Sequence, residues 1–280
     1  MIVKKYNKKT SRKILGYACL VFVLYIISGF ISAIPIKKIN TGAMPDTTLL
    51  KLSEDLLYNV KTEEPTAAFE SALAKTDLQQ LISGLNNDDA IKTFWVNIYN
   101  AWFQILAARE KLKRPEIFTS TKINIASKNF SLDDIEHGIL RKYRWKLGLG
   151  YLPRFFPGKL IKQLAVSKID YRIHFALNCG AKSCPPVAFY SYEQINNQLD
   201  LATKSFLSGE TQFDDNRKEV SVTKIMDWFR GDFGGKKGIK KIINNVLQRD
   251  VNDYTIKFKP YNWDSALHNF ADDHVNPDGK

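Results

Sequence analysis

The 280-residue sequence predicts an α+β domain, mainly helical around a small, mostly antiparallel sheet, with one N-terminal transmembrane helix. Three observations predict this class. Several stretches carry apolar residues at helical spacing, most clearly 89–109, 131–144 and 192–207. Three runs alternate at strand spacing, 169–178, 219–222 and 254–259. A 21-residue run without charge, Ile14 to Ile34, follows a lysine-rich start.

The N-terminal run matches the roughly 20 residues a helix needs to cross a bilayer. Lys4, Lys5, Lys8, Lys9, Arg12 and Lys13 precede it and supply six of the twelve net positive charges. That flank is expected to keep residues 1–13 cytoplasmic and to send the chain beyond Pro35 across, as a single-pass protein with a periplasmic or extracellular domain. The remaining chain is only mildly basic and lacks an interleaved stripe of aromatic residues and arginines, which argues against nucleic acid as a partner. The expected organisation is a basic tail (1–13), a signal anchor (14–34), a polar tether (35–64), a globular domain (65–268) and a tail (269–280). Within the tether, one or two helical turns are expected around Leu49–Val60.

Ala67 to Leu85 reads as a helix started by Pro65-Thr66 and stopped by Asn86-Asn87. In 89–109, Phe94, Trp95, Ile98, Trp102, Ile105 and Leu106 make a helix apolar nearly all round, which belongs in the interior. Thr93, Asn97, Asn100 and Gln104 form an uncharged polar stripe on it, and buried amides must find partners. They either clamp neighbouring backbone, or they line a ligand pocket with Tyr99 or orient the His174 strand. Ser131-Leu132-Asp133-Asp134 opens a helix to Arg144 with a capping-box pattern. On that helix Asp133, His137 and Arg141 share a side beside Glu136. The face is a solvated ion-paired surface or, turned to a cleft, presents Glu136 and His137 as an acid/base pair.

The chain then reaches its most informative stretch, Asp170 to Pro186. It is expected as a strand, with Ile169, Tyr171, Ile173, Phe175 and Leu177 on one face and Arg172, His174 and Asn178 on the other. It feeds a small-residue loop holding Cys179 and Cys184, which in an oxidising compartment are expected to pair. Leu160–Val166 and Tyr192–Leu207 read as helices and Glu219–Val222 and Tyr254–Lys259 as strands. Thr223 to Phe229 starts a helix broken by Gly231-Asp232-Phe233-Gly234-Gly235. The run Lys236 to Lys241 reads as a solvated face, with contact to anionic lipid as the alternative.

Three blocks carry a family resemblance: Phe94-Trp95-Val96-Asn97-Ile98-Tyr99-Asn100-Ala101, Phe130 to Arg141, and Arg172 to Pro185. Together with Lys224 to Gly234 and Tyr261-Asn262-Trp263-Asp264, they resemble the signature blocks of the domain of unknown function DUF547, over roughly residues 50–268. In the closing block Asn262 departs from the usual Asp, and Ser265-Ala266 stands where Leu-Asn is usual. The resemblance implies a domain boundary and a set of positions rather than an activity.

Two functions fit these residues. In the first, the domain binds a peptide, glycan or envelope protein at a cleft beside 170–186, using Arg172, Asn178, Asn97, Asn100 and Tyr99, with a Cys179–Cys184 disulfide pinning the loop. In the second, it is a thiol-dependent hydrolase or acyl transferase of papain- or transglutaminase-like type. Cys184 or Cys179 would then be the nucleophile, His174 or His137 the base, and Asn178 or Glu136 the group orienting the base. No cofactor is expected, and no spacing among the histidines, acids and cysteines matches a tight metal motif.

Overall fold

The computed structural model describes residues 43–271. The expected anchor at 14–34 lies outside them. Among the described residues no helix is long and apolar enough to cross a membrane. The single-pass, extracytoplasmic placement and the transmembrane part of the expected fold class thus find no support among the described residues and are withdrawn. The α+β part stands, helical around small sheets.

The order begins with α1 (Thr47–Lys61), α2 (Ala67–Lys75), α3 (Leu78–Gly84), α4 (Asp88–Ala108) and the single turn α5 (Glu116–Thr119). It continues with the hairpin β1 (Ile123–Ile125) and β2 (Lys128–Phe130), a π-helix (Asp134–Leu140), α6 (Lys159–Leu164) and a 3-10 helix (Tyr171–Phe175). The last elements are α7 (Ile195–Glu210), β3 (Gln212–Asp214), β4 (Glu219–Val222), α8 (Ile225–Trp228), α9 (Gly235–Leu247) and β5 (Thr255–Phe258). Strands β1 and β2 pair antiparallel, as do β3 and β4, whereas β4 and β5 run parallel.

Helix α4 forms where the apolar periodicity puts it. Asn87 caps it by accepting from the Ala90 N–H at 2.9 Å, and Asp88 and Asp89 suit its positive end. Every residue from Ala90 to Leu106 is buried. The expected helix 67–85 is two, because Asp77 caps a fresh start by accepting from Gln80 N at 2.9 Å. The expected tether contains α1, a full helix capped by Asp46, whose carboxylate accepts from Thr48 N and Leu49 N. Leu49, Leu50, Leu56, Leu57 and Val60 are buried on α4, so the folded unit begins well before residue 65. At the other end Phe270, placed in the tail by the sequence, packs on the core.

Two apolar cores result. One surrounds α4 and takes in α1–α3, the β1–β2 hairpin and the π-helix. The other gathers Val220, Val222, Met226, Phe233, Ile239, Ile243 and Ile256 from the three-stranded sheet, α8, α9 and the turn between these helices. Residues 171–178 run between them, with Ile173 and Ala176 in the first core and Phe175 in the second. That position explains why the segment is not the expected strand. Asp170 accepts from Arg172 N at 3.1 Å and opens a 3-10 turn, and both sets of side chains find buried surroundings.

The expected helix 131–144 is wound as a π-helix, with Arg141 N donating to Glu136 O at 2.9 Å and Tyr143 N to Gly138 O at 2.7 Å. The wider turn shifts the side chains that follow it. Arg141, on the face expected to be either solvated or turned to a cleft, is fully buried.

Candidate functional site

A cleft of about 200 Å³ opens at the seam of the two cores. Its aromatic wall is Trp228 from α8 with Tyr261 and Trp263 from the closing segment. Their rings lie 4.6 to 5.5 Å apart, centre to centre. Arg114 braces the wall from behind, 4.9 Å from the Trp263 ring. The opposite side carries Tyr99 of α4, Asp133, and Glu136 and His137 of the π-helix, with His174 from the 3-10 helix. Cys179, Cys184 and Pro185 close one side.

The polar groups form one chain. Tyr99 Oη donates to Glu136 Oε2 at 3.3 Å, and His137 Nδ1 lies 3.6 Å from Glu136 Oε1. Arg141 Nη1 donates to His137 Nδ1 at 2.8 Å, which fixes the imidazole as the neutral Nε2–H tautomer. Arg141 Nε donates to Asp232 Oδ2 at 2.6 Å, and the same oxygen accepts from His174 Nε2 at 2.9 Å. His174 stacks on Phe229 at 4.3 Å and 14°, and Arg141 covers the same ring at 4.3 Å. Arg141 and Asp232 are shut away from solvent completely.

Burial, with the Arg141 charge second, holds the His137 imidazole down at about 3. Burial pushes the Glu136 carboxyl up, against the pull of Arg141, His174 and Tyr99. Burial also works against ionisation of Asp232, but the His174 hydrogen bond and the Arg141 charge outweigh it and hold the carboxyl below its usual range. The cleft therefore presents a carboxyl whose charged form burial disfavours, beside an imidazole that refuses a proton.

The sulfurs of Cys179 and Cys184 stand at disulfide distance, 2.17 Å, with both within about 3.1 Å of Tyr261 Oη. This matches the expected pairing and leaves neither sulfur as a thiolate. His174, Glu136, His137 and Tyr99 all reach the cleft, as the second function and part of the first required.

The other expected ligand residues do not. Arg172 is spent on Asp170, Asn196 and Asp200. Asn97 clamps the Tyr190 backbone through both ends of its amide. Asn100 donates to Ala176 O and accepts from Asn178 N, each at 2.9 Å, so it fastens the segment that bears His174. Asn178 in turn bonds Pro185 O and Gly180 N within the cysteine loop. The structure carries the clamping role, and through Asn100 a hold on the His174 segment, rather than a pocket lining by these amides.

Sequence reasoning missed Arg141, Asp232, Trp228 and the Tyr261–Trp263 wall as site residues. The available signals were Arg141 one turn from His137, and an acid held between glycines at Gly231-Asp232. Among the described residues no group of three or more His, Cys, Asp or Glu is placed to hold a metal ion.

The family model described as "Protein of unknown function, DUF547" matches residues 82–207. That stretch carries Tyr99, Glu136, His137, Arg141, His174 and both cysteines. The resemblance seen in the sequence ran further, to the blocks that supply Asp232 and the aromatic wall. No curated protein and no solved structure matches the chain.

Proposed function

We propose, from the premise that residues 82–207 are a DUF547 segment, that this protein binds a glycan and takes one sugar residue of it into the cleft. The observation that carries the reading is the Trp228–Tyr261–Trp263 wall facing the Glu136–His137 pair. An aromatic wall offers an apolar face to the ring carbons of a sugar. The His137 Nε2–H supplies a donor, and the carboxyl oxygens of Glu136 and Asp133 supply acceptors, for its hydroxyls. The volume of about 200 Å³ favours one ring over a drug-sized ligand, which needs at least about 300 Å³.

The test is a titration of intrinsic tryptophan emission with oligosaccharides and, separately, with short peptides. Oligosaccharides should shift the emission, and Trp228→Ala or Trp263→Ala should weaken that binding about tenfold or more while near-UV circular dichroism stays native. Binding of peptides alone would move the reading to a peptide side chain. No shift with either class would overturn it.

A second reading rests on one specific arrangement. His174, oriented by Asp232, lines the same cleft as both sulfurs. With the pair reduced, that is a Cys–His–Asp set for acyl transfer or hydrolysis, with Asp232 in place of the expected Asn178 or Glu136. A thiol count decides it. Two thiols that alkylate at unequal rates under mild reductant support the enzyme, and a Cys179–Cys184 bond that survives such reductant rules out a thiol nucleophile.

A further inference from the structure

Residues 144–153 form a hairpin outside the cleft. Arg144 and Pro153 bridge its base, with Trp145 N donating to Leu152 O at 3.0 Å and Arg154 N to Tyr143 O at 2.7 Å. Its tip is pressed onto the body. Gly231 N donates to Leu149 O at 2.7 Å, and Gly150 (φ +80°) lies so close to Asp232 that a Cβ there would come within 2.7 Å of its N and Oδ1. Gly148 and Gly150 are buried, so the alternate positions Trp145, Leu147, Leu149 and Tyr151 turn outward.

The consequence is an unusual surface. Of the ten large apolar side chains exposed among the described residues, six lie in this one stretch: Trp145, Leu147, Leu149, Tyr151, Leu152 and Phe156. Leu147 and Phe156 are 70% and 74% exposed. Such a cluster on a surface marks an interaction site. Its charge is one-sided as well. From Gly138 to Ile169 the chain has no Asp or Glu and eight Lys or Arg; Lys146 in the hairpin pairs with Asp133 at 2.7 Å, and Arg154 and Lys159 are exposed just beyond the hairpin's base.

We propose that this hairpin, with Phe156, is a contact site for an anionic lipid surface. The apolar side chains enter the headgroup layer, and the lysines and arginines pair with lipid phosphates. This is a surface contact and needs no spanning helix. Trp and Tyr prefer that interfacial depth, Leu and Phe add buried apolar area, and basic residues add attraction to anionic headgroups. The mixture of aliphatic and aromatic tips with a net basic flank favours lipid over an acidic protein, whose recognition would not call for outward aliphatic side chains at alternate positions.

The experiment uses the full chain with vesicles of phosphatidylcholine alone or mixed with phosphatidylglycerol, the acyl chains brominated to quench tryptophan. Quenching should be stronger on the anionic vesicles and fall with added salt. Trp145→Phe should remove most of it, since Trp95 and Trp102 are buried and Trp263 and Trp228 belong to the cleft wall. The pair Arg154→Glu and Lys159→Glu should lower binding to anionic vesicles on the order of tenfold. Leu147→Ser with Phe156→Ser, both at exposed positions, should lower it on either vesicle. Unchanged quenching in Trp145→Phe, or equal binding by the charge variant, would overturn the proposal. So would a dimer that forms without vesicles and is lost in Leu147→Ser, which would make the hairpin an interface between copies of this chain.

Discussion

Asp232 holds the polar end of the cleft together, because one of its oxygens accepts from both Arg141 and His174 with all three side chains out of water. Removing Asp232 leaves the buried Arg141 charge with only the neutral His137 imidazole and the Phe229 ring beside it, and His174 Nε2 without its acceptor. Asp232→Ala is expected to destabilise the fold by about 3–5 kcal/mol, measured by denaturant unfolding. A cost under about 1 kcal/mol would mean that the network contributes little. The same burial gives a pH signature. His137 is held at about 3, against an ordinary 6.5, so between those values the unfolded chain takes up a proton that the folded chain refuses. Stability is full above about 6.5 and is drawn down as pH falls toward 3. Asp170, held at about 2 by the Arg172 hydrogen bond and the Lys92 charge despite burial, adds a further loss below about 4. Glu136 acts in the opposite sense: its raised pKa removes stability as pH climbs past the ordinary glutamate value. The His137 share should therefore lower thermal midpoints from pH 6.5 downward, against an opposing Glu136 share. In His137→Gln, which keeps an acceptor for Arg141 but cannot titrate, the slope between 6.5 and 4 should flatten. An unchanged slope would assign the acid loss elsewhere.

At the scale of elements, the hairpin and the 229–235 turn are keyed together by a glycine. Gly150 combines a left-handed backbone with contact against Asp232, and Gly231 faces Gly150 carbonyl atoms as closely. Gly150→Ala should cost about 1–3 kcal/mol in denaturant unfolding, through strain and displacement of Asp232. A neutral effect would show that the turn can yield. This joint also shows where sequence reasoning stops. Helix α4 was legible because seventeen consecutive buried positions leave an unmistakable apolar record, with Asn87 as cap. Strands β4 and β5 were legible from alternation. The 171–175 turn was not, since alternating apolar and polar side chains imitate a strand when both kinds are buried and satisfied. The π-helix was not, because a single widened turn leaves no mark in apolar spacing, yet it is what carries Arg141 inward. Glu136, His137, His174 and the cysteines declared themselves by residue type. Asp232 and Trp228 needed the tertiary fold, because only the turn after α8 brings them beside residues roughly ninety positions earlier.

For the whole molecule, the decisive fact is that α1 is part of the core and not a lead-in to it. Its sequence mixes Lys51, Glu54 and Asp55 with Leu49, Leu50, Leu56 and Leu57, so its average hydropathy is that of a tether while its buried stripe is that of a packed helix. It makes the most extensive helix–helix contact of the fold, on α4, and α4 is the element that supplies Tyr99 to the cleft and Asn100 to the His174 segment. Leu57 is fully buried, and Leu57→Ala should cost about 2–5 kcal/mol, although it lies on a helix with no residue in the cleft. A chain beginning at Pro65 would uncover the apolar side of α4 and should fail to reach a native near-UV spectrum. If that shortened chain folds with the same denaturation midpoint, α1 is an accessory. If Leu57→Ala lowers the midpoint and also weakens ligand-induced tryptophan shifts at a concentration of denaturant where the chain is still folded, then α1 supports the cleft through α4 as well as the fold.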